Sequence, residues 1–159
     1  MTGLRQASGH AVPVVDGVDE RLVAYAFAVE AIFAELRAII GQLSGTFILL
    51  RTRRTYDLGE LPALVRDRRD HAVERIDRLN SPEGRLADRG KLAQAVDHID
   101  AAIVALRSMR HDRCHEQIVS VSARLRAAYR LMQDVCDHRI GLTMVDIGNA
   151  CCACGKKLA

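Results

Sequence analysis

The stretch that decides the fold is Leu22–Leu43, LVAYAFAVEAIFAELRAIIGQL. Leu22, Tyr25, Val29, Ile32, Leu36, Ile39 and Leu43 recur at alternating steps of three and four, which is a heptad seam on one side of a helix. A second apolar row, Phe33, Ile40 and Phe47, runs beside it. Ala24, Ala28, Ala31 and Ala38 occupy yet another face. A helix that is apolar nearly all round is buried on several sides. The stretch therefore reads either as the central helix of a bundle or as one that also meets a second subunit. Asp16 or Asp19 can cap its free backbone N–H groups, and the pattern fades near Leu50, so the first helix is expected over 16–50. Gly41, Ser44 and Gly45 are candidate kink positions.

Downstream, three further seams follow. Arg51–Gly59 reads as a loop, and Pro62 suits a helix's first turn. Leu61, Val65, Ala72, Ile76 and Leu79 then face inward on a second helix, expected over 60–80. Asn80-Ser81-Pro82-Glu83 reads as a helix end followed by a capped start, which opens a third helix over 82–108. So short a link makes helices two and three antiparallel neighbours. Leu92, Val96, Ile99, Ile103 and Leu106 form the third seam. Continuing it would bury Arg110, Arg113, Gln117 and Arg124, which no core accepts. The fourth seam is instead Cys114, Ile118, Val121, Leu125, Ala128, Met132 and Val135, displaced by one residue. A turn must fall near Ser108–Asp112, and a fourth helix is expected over 112–140. The fold class is all-α, a four-helix up-down-up-down bundle with an irregular Cys-rich C-terminal tail.

Composition agrees with this and narrows the function classes. The chain has 159 residues, 49% hydrophobic and 27% charged, enough for one domain with its own core. Aromatics are 4% and Trp is absent, so Ala, Leu, Ile and Val fill that core. Twenty Arg outnumber three Lys, which fits GC-rich coding as well as phosphate recognition. Between Arg51 and Arg85 nine Arg face seven acids, too balanced for a nucleic-acid patch. Arg107, Arg110 and Arg113, then Arg124, Arg126 and Arg130, read as helix-surface charge. The longest apolar run, Leu22–Val29, covers eight residues, far short of the ~20 of a membrane-spanning helix. Met1–Gly17 holds no apolar core of signal-peptide length. The expectation is a cytoplasmic protein whose five Cys are reduced thiols or metal ligands.

The most distinctive chemistry is Cys151-Cys152-Ala153-Cys154-Gly155-Lys156. Two thiolates with two residues between them can grip one tetrahedral zinc, and Gly after the second lets the backbone turn toward sulfur. Over these six residues the tail resembles a zinc knuckle. With no second such pair, Cys136 and His138 are the expected completing ligands beside Cys151 and Cys154, so zinc is the candidate cofactor. The tail is also similar to the haem-attachment motif of the cytochrome c′ family, which has four helices too. That motif requires His where Gly155 stands, so covalent haem is not expected. His111, Cys114 and His115 share one helical face and form a weaker alternative metal cluster. His71 and His98 sit among acidic neighbours and read as solvent-facing. No Glu is followed by His three positions on, which argues against a ferritin-like di-iron site. Neither a phosphate-binding Gly-rich loop nor a nucleophile elbow is present.

Together these readings predict an extended or disordered segment over 1–15, a helical domain over 16–140 and a Cys-rich tail over 141–159. They predict a non-catalytic interaction module, a homo-oligomer or the partner of another helical protein. The alternative is a metal- or redox-responsive protein, or a metal-dependent enzyme, built on the His and Cys clusters.

Overall fold

The computed structural model describes residues 19–53, 61–108 and 114–144. Four helices make up almost all of it: α1 (Glu20–Arg53), α2 (Leu61–Asp77), α3 (Leu86–Arg107) and α4 (Cys114–Gln133). The fold is an all-α bundle, and none of its helices is long and apolar enough to cross a membrane among the described residues. The expected segment 1–15 and most of the Cys-rich tail lie outside the described residues.

Helix α1 starts where Asp19 caps it, accepting at Oδ1 from the backbone N–H of Arg21 at 3.0 Å. It continues through Gly41, Ser44 and Gly45 as helix and extends to Arg53, three residues past the expected end. Its first seam is buried from Tyr25 through Leu43, and so are Phe33 and Ile40 of the second row. Val65, Ala72 and Ile76 of α2 join the same core, with Leu79 just beyond its end, as do Leu92, Val96, Ile99 and Leu106 of α3. From α4 come Val121, Leu125, Ala128 and Met132, followed by Val135. The displaced fourth seam is thus the buried one. The side chains of Phe47, Leu61 and Cys114 lie outside the described part. The most extensive pairing is α3 on α4, then α1 on α2, and α1 also touches α3 and α4.

Helix α2 stops at Asp77, short of the expected 80, and two boundaries depart further from the sequence expectation. Helix α3 begins at Leu86, not Pro82. Pro82 starts a turn instead: its carbonyl accepts from Arg85 N–H at 2.9 Å, and Gly84 takes a φ of +86°, which only glycine adopts freely. Ser81 does not cap the helix, and its buried hydroxyl has no partner among the described residues. Helix α4 ends at Gln133 rather than near Ile140. There the chain tightens, with Val135 N–H reaching Met132 O at 3.1 Å and Cys136 N–H reaching Gln133 O at 3.0 Å. Asp137 then caps a 3-10 turn over His138–Ile140, accepting from Arg139 N–H. Gly141, at φ +77°, reverses the chain. Leu142 returns to the core at 2% exposed, paired with Asp137 through an isolated bridge. Burying a leucine is worth ~1.5–3 kcal/mol, which continuing the helix would forgo.

Candidate functional site

The inward face of α1 is closed, and its outward face is open. Phe27 is 75% exposed and Val23 37% exposed. Ala24, Ala28 and Ala34 are exposed beside them, Ala31 and Ala38 are half-buried, and Gly41 is exposed. The alanine face that made this helix read as apolar all round is therefore the face the described residues leave uncovered. Charged side chains border it on both sides. On one border, Arg37 pairs with Glu30 and also donates through Nε to the Phe33 carbonyl at 3.3 Å. On the other, Arg68 of α2 reaches Glu35 at 2.9 Å. A long apolar strip with charged borders has the form of a helix-docking surface.

A second feature lies between α2 and α3, an open cleft of about 390 Å³ lined by Arg66, Arg69, Asp70, Asp100, Ile103, Val104 and Arg107. Arg69 is committed within it. Its guanidinium meets Asp100 at 2.8 Å and Asp70 at 3.0 Å, and hydrogen bonding to Asp100 raises its pKa above the usual value. Three guanidinium and two carboxylate groups leave little net charge for holding an anion. Of the arginines expected near the α3–α4 turn, Arg107 lines this cleft, and Arg110 and Arg113 lie outside the described residues.

At the base of the bundle is a polar network that the seams do not forecast. Tyr25 donates through its hydroxyl to Asp88 Oδ2 at 2.6 Å, and both residues are buried. Arg85 stands 3.6 Å from Asp88 and pairs with Asp137, which in turn holds Arg139 at 3.0 Å. Burial, and then the hydrogen bond to Asp88, raises the Tyr25 pKa well above its ordinary value of 10.0. Hydrogen bonds from the Arg139 side chain and backbone hold Asp137 well below the usual carboxylate range. The network ties the start of α1, the start of α3 and the C-terminal turn together. One signal for it was in the sequence: Asp88 heads a row spaced by seven whose other members, Ala95 and Ala102, are both buried.

The expected metal ligands are only partly in view. Cys136 is half-buried, and its Sγ lies 3.5 Å from the Met132 carbonyl, the contact of a protonated thiol. Burial pushes its pKa up and Glu30 adds to this, against Arg37 and the backbone N–H of Met144. His138 is exposed on the 3-10 turn two residues on. Cys151, Cys154 and His111 lie outside the described residues, as do the side chains of Cys114 and His115. Among the described residues no three His, Cys, Asp or Glu side chains converge as a metal would need. His71 is exposed and His98 half-buried.

Comparison of the chain with protein-family models, with curated proteins and with solved structures finds no match.

Proposed function

We propose that the protein is a non-catalytic helical interaction module that works as a homo-oligomer through the outer face of α1. One observation carries this reading: Phe27, 75% exposed, stands on a strip of alanines and glycine that nothing in the chain's described part covers. Isolated exposed apolar residues are ordinary, but a continuous strip several turns long marks an interaction surface. The same reading sets the protein in the cytoplasm, where its thiols stay reduced. The mass of the full chain in reducing buffer tests it. Light scattering should give more than the 17.5 kDa of one chain, and a monomer at every concentration would contradict it.

Zinc binding by the tail is a second proposal. It is favoured by the reversal at Gly141, which brings the chain back along the end of α4 so that Met144 reaches Cys136. Cys151 and Cys154 would supply two thiolates, and Cys136 and His138 would complete the set once the Cys136 thiol loses its proton. Replacing Cys151 and Cys154 by Ser should abolish bound zinc and leave the melting of the bundle core nearly unchanged. Stoichiometric zinc retained by that variant would overturn the assignment.

A further inference from the structure

The outer face of α1 has a heptad pattern of its own, distinct from the buried seam. Ala24, Ala31, Ala38 and Gly45 repeat every seven residues, and Phe27, Ala34 and Gly41 repeat every seven in between. The steps alternate three and four, the spacing with which one helix seats another. From Ala24 to Gly45 the strip is about 32 Å long at the rise of an α-helix. A Cβ built at Gly41 or Gly45 would meet nothing within 4 Å, so nothing in the chain's own described packing calls for glycine there. Each costs helix stability relative to alanine, and close approach of another backbone is a reason to accept that cost.

We infer that this face binds a second copy of the chain, α1 against α1, antiparallel, about a two-fold axis between Ala31 and Ala34. The inference rests on the homo-oligomer reading above and adds the partner, the direction and the register. In that arrangement Ala31 lies beside the partner's Ala34, Phe27 beside the partner's Ala38 and Ala24 beside the partner's Gly41. The bulky end of each strip meets the small end of the other.

The bordering charges select this register. Glu30 and Arg37 lie seven residues apart on one border, and their side chains are 48% and 39% exposed. In the proposed pair Glu30 stands opposite the partner's Arg37, and symmetry makes the contact twice. Sliding the helices by one heptad brings Arg37 against the partner's Arg37, or Glu30 against the partner's Glu30. A parallel pair in register sets Glu30 across from the partner's Glu35. Sliding sets like charges face to face, and the parallel pair loses both contacts between Glu30 and the partner's Arg37, so each alternative is disfavoured.

The test uses the full chain in reducing buffer and two single variants, Glu30→Arg and Arg37→Glu. Wild type is expected to dimerise, and each variant alone to dissociate roughly tenfold more readily, because the swap sets like charges opposite each other twice. An equimolar mixture of the two variants should regain wild-type affinity as a heterodimer, since one chain then carries two arginines on this border and the other two glutamates. Within a single chain the swaps also break the Glu30–Arg37 pair, but mixing cannot repair that loss. Ala34→Glu, at the exposed centre of the strip, gives an independent check and should abolish the dimer. A mixture no tighter than its components overturns the register and leaves the oligomer standing, whereas a wild-type dimer that tolerates Ala34→Glu overturns this face as its contact. A monomeric wild type removes both.

Discussion

The two faces of α1 are built from the same kinds of residue and meet opposite fates. On the inner face Tyr25, Val29, Ile32, Leu36 and Leu43 are all but sealed from solvent. On the outer face Val23 and Phe27 stand clear, followed by alanine and then glycine. Side-chain size separates them. The inner row carries branched and aromatic groups that fill the space left by three other helices, whereas the outer row is trimmed after Phe27 to groups that fill almost nothing. Apolar character alone therefore says little about which surface is core and which stays open.

The difference can be pressed hardest at Leu36, 0% exposed at the middle of the inner row. Leu36→Ala should cost ~2–5 kcal/mol in denaturant unfolding, because it opens a cavity where the bundle cannot collapse. A cost below about 1 kcal/mol would mean that the inner row is not the core.

Tyr25 offers a smaller effect, tied to pH. Its pKa is raised in the folded chain, so the unfolded state ionises first as pH rises past 10.0. The stability this group contributes is complete below that value and is lost above it. Wild type should lose up to about 1.4 kcal/mol per pH unit beyond pH 10 relative to Tyr25→Phe. Parallel alkaline unfolding curves for the two proteins would show that burial and Asp88 do not raise the Tyr25 pKa in the folded chain.

The smallest effect belongs to the outer face and should change sign with what is measured. Gly41→Ala should raise helix stability by up to ~1 kcal/mol under conditions where the chain is monomeric, since the added methyl meets nothing. The same methyl should weaken self-association. A substitution neutral in both assays would rule out close backbone approach as the reason for glycine at this position.

These outcomes bear on how far the sequence can be read. The four seams were legible because a three-four apolar rhythm has one physical meaning in a chain without strand signals, and the one-residue displacement after Leu106 located the α3–α4 turn. The ends of α3 and α4 were less legible, for reasons that are not local. Ser81 carries the chemistry of a helix cap, but Pro82 and Gly84 made a turn first. His138–Ile140 reads as helix, yet Asp137 is engaged by Arg85 from far along the chain and Leu142 is drawn back into the core. At the candidate site, the apolar girth of α1 was visible from Leu22–Leu43. Which face would stay open was not, because that depends on where α2 and the C-terminal turn come to rest.

We propose the outer face of α1 as a contact surface rather than spare hydrophobic area. It is tested most directly by comparing the mass of wild type with that of Phe27→Glu, as full chains, by light scattering across a concentration series. Phe27 is largely exposed, so the substitution should leave the helical signal and the melting of the isolated chain almost untouched. Wild type should have about twice the 17.5 kDa mass of one chain, and Phe27→Glu should stay at that single-chain mass. Equal masses for the two proteins, whether both monomeric or both dimeric, would contradict it.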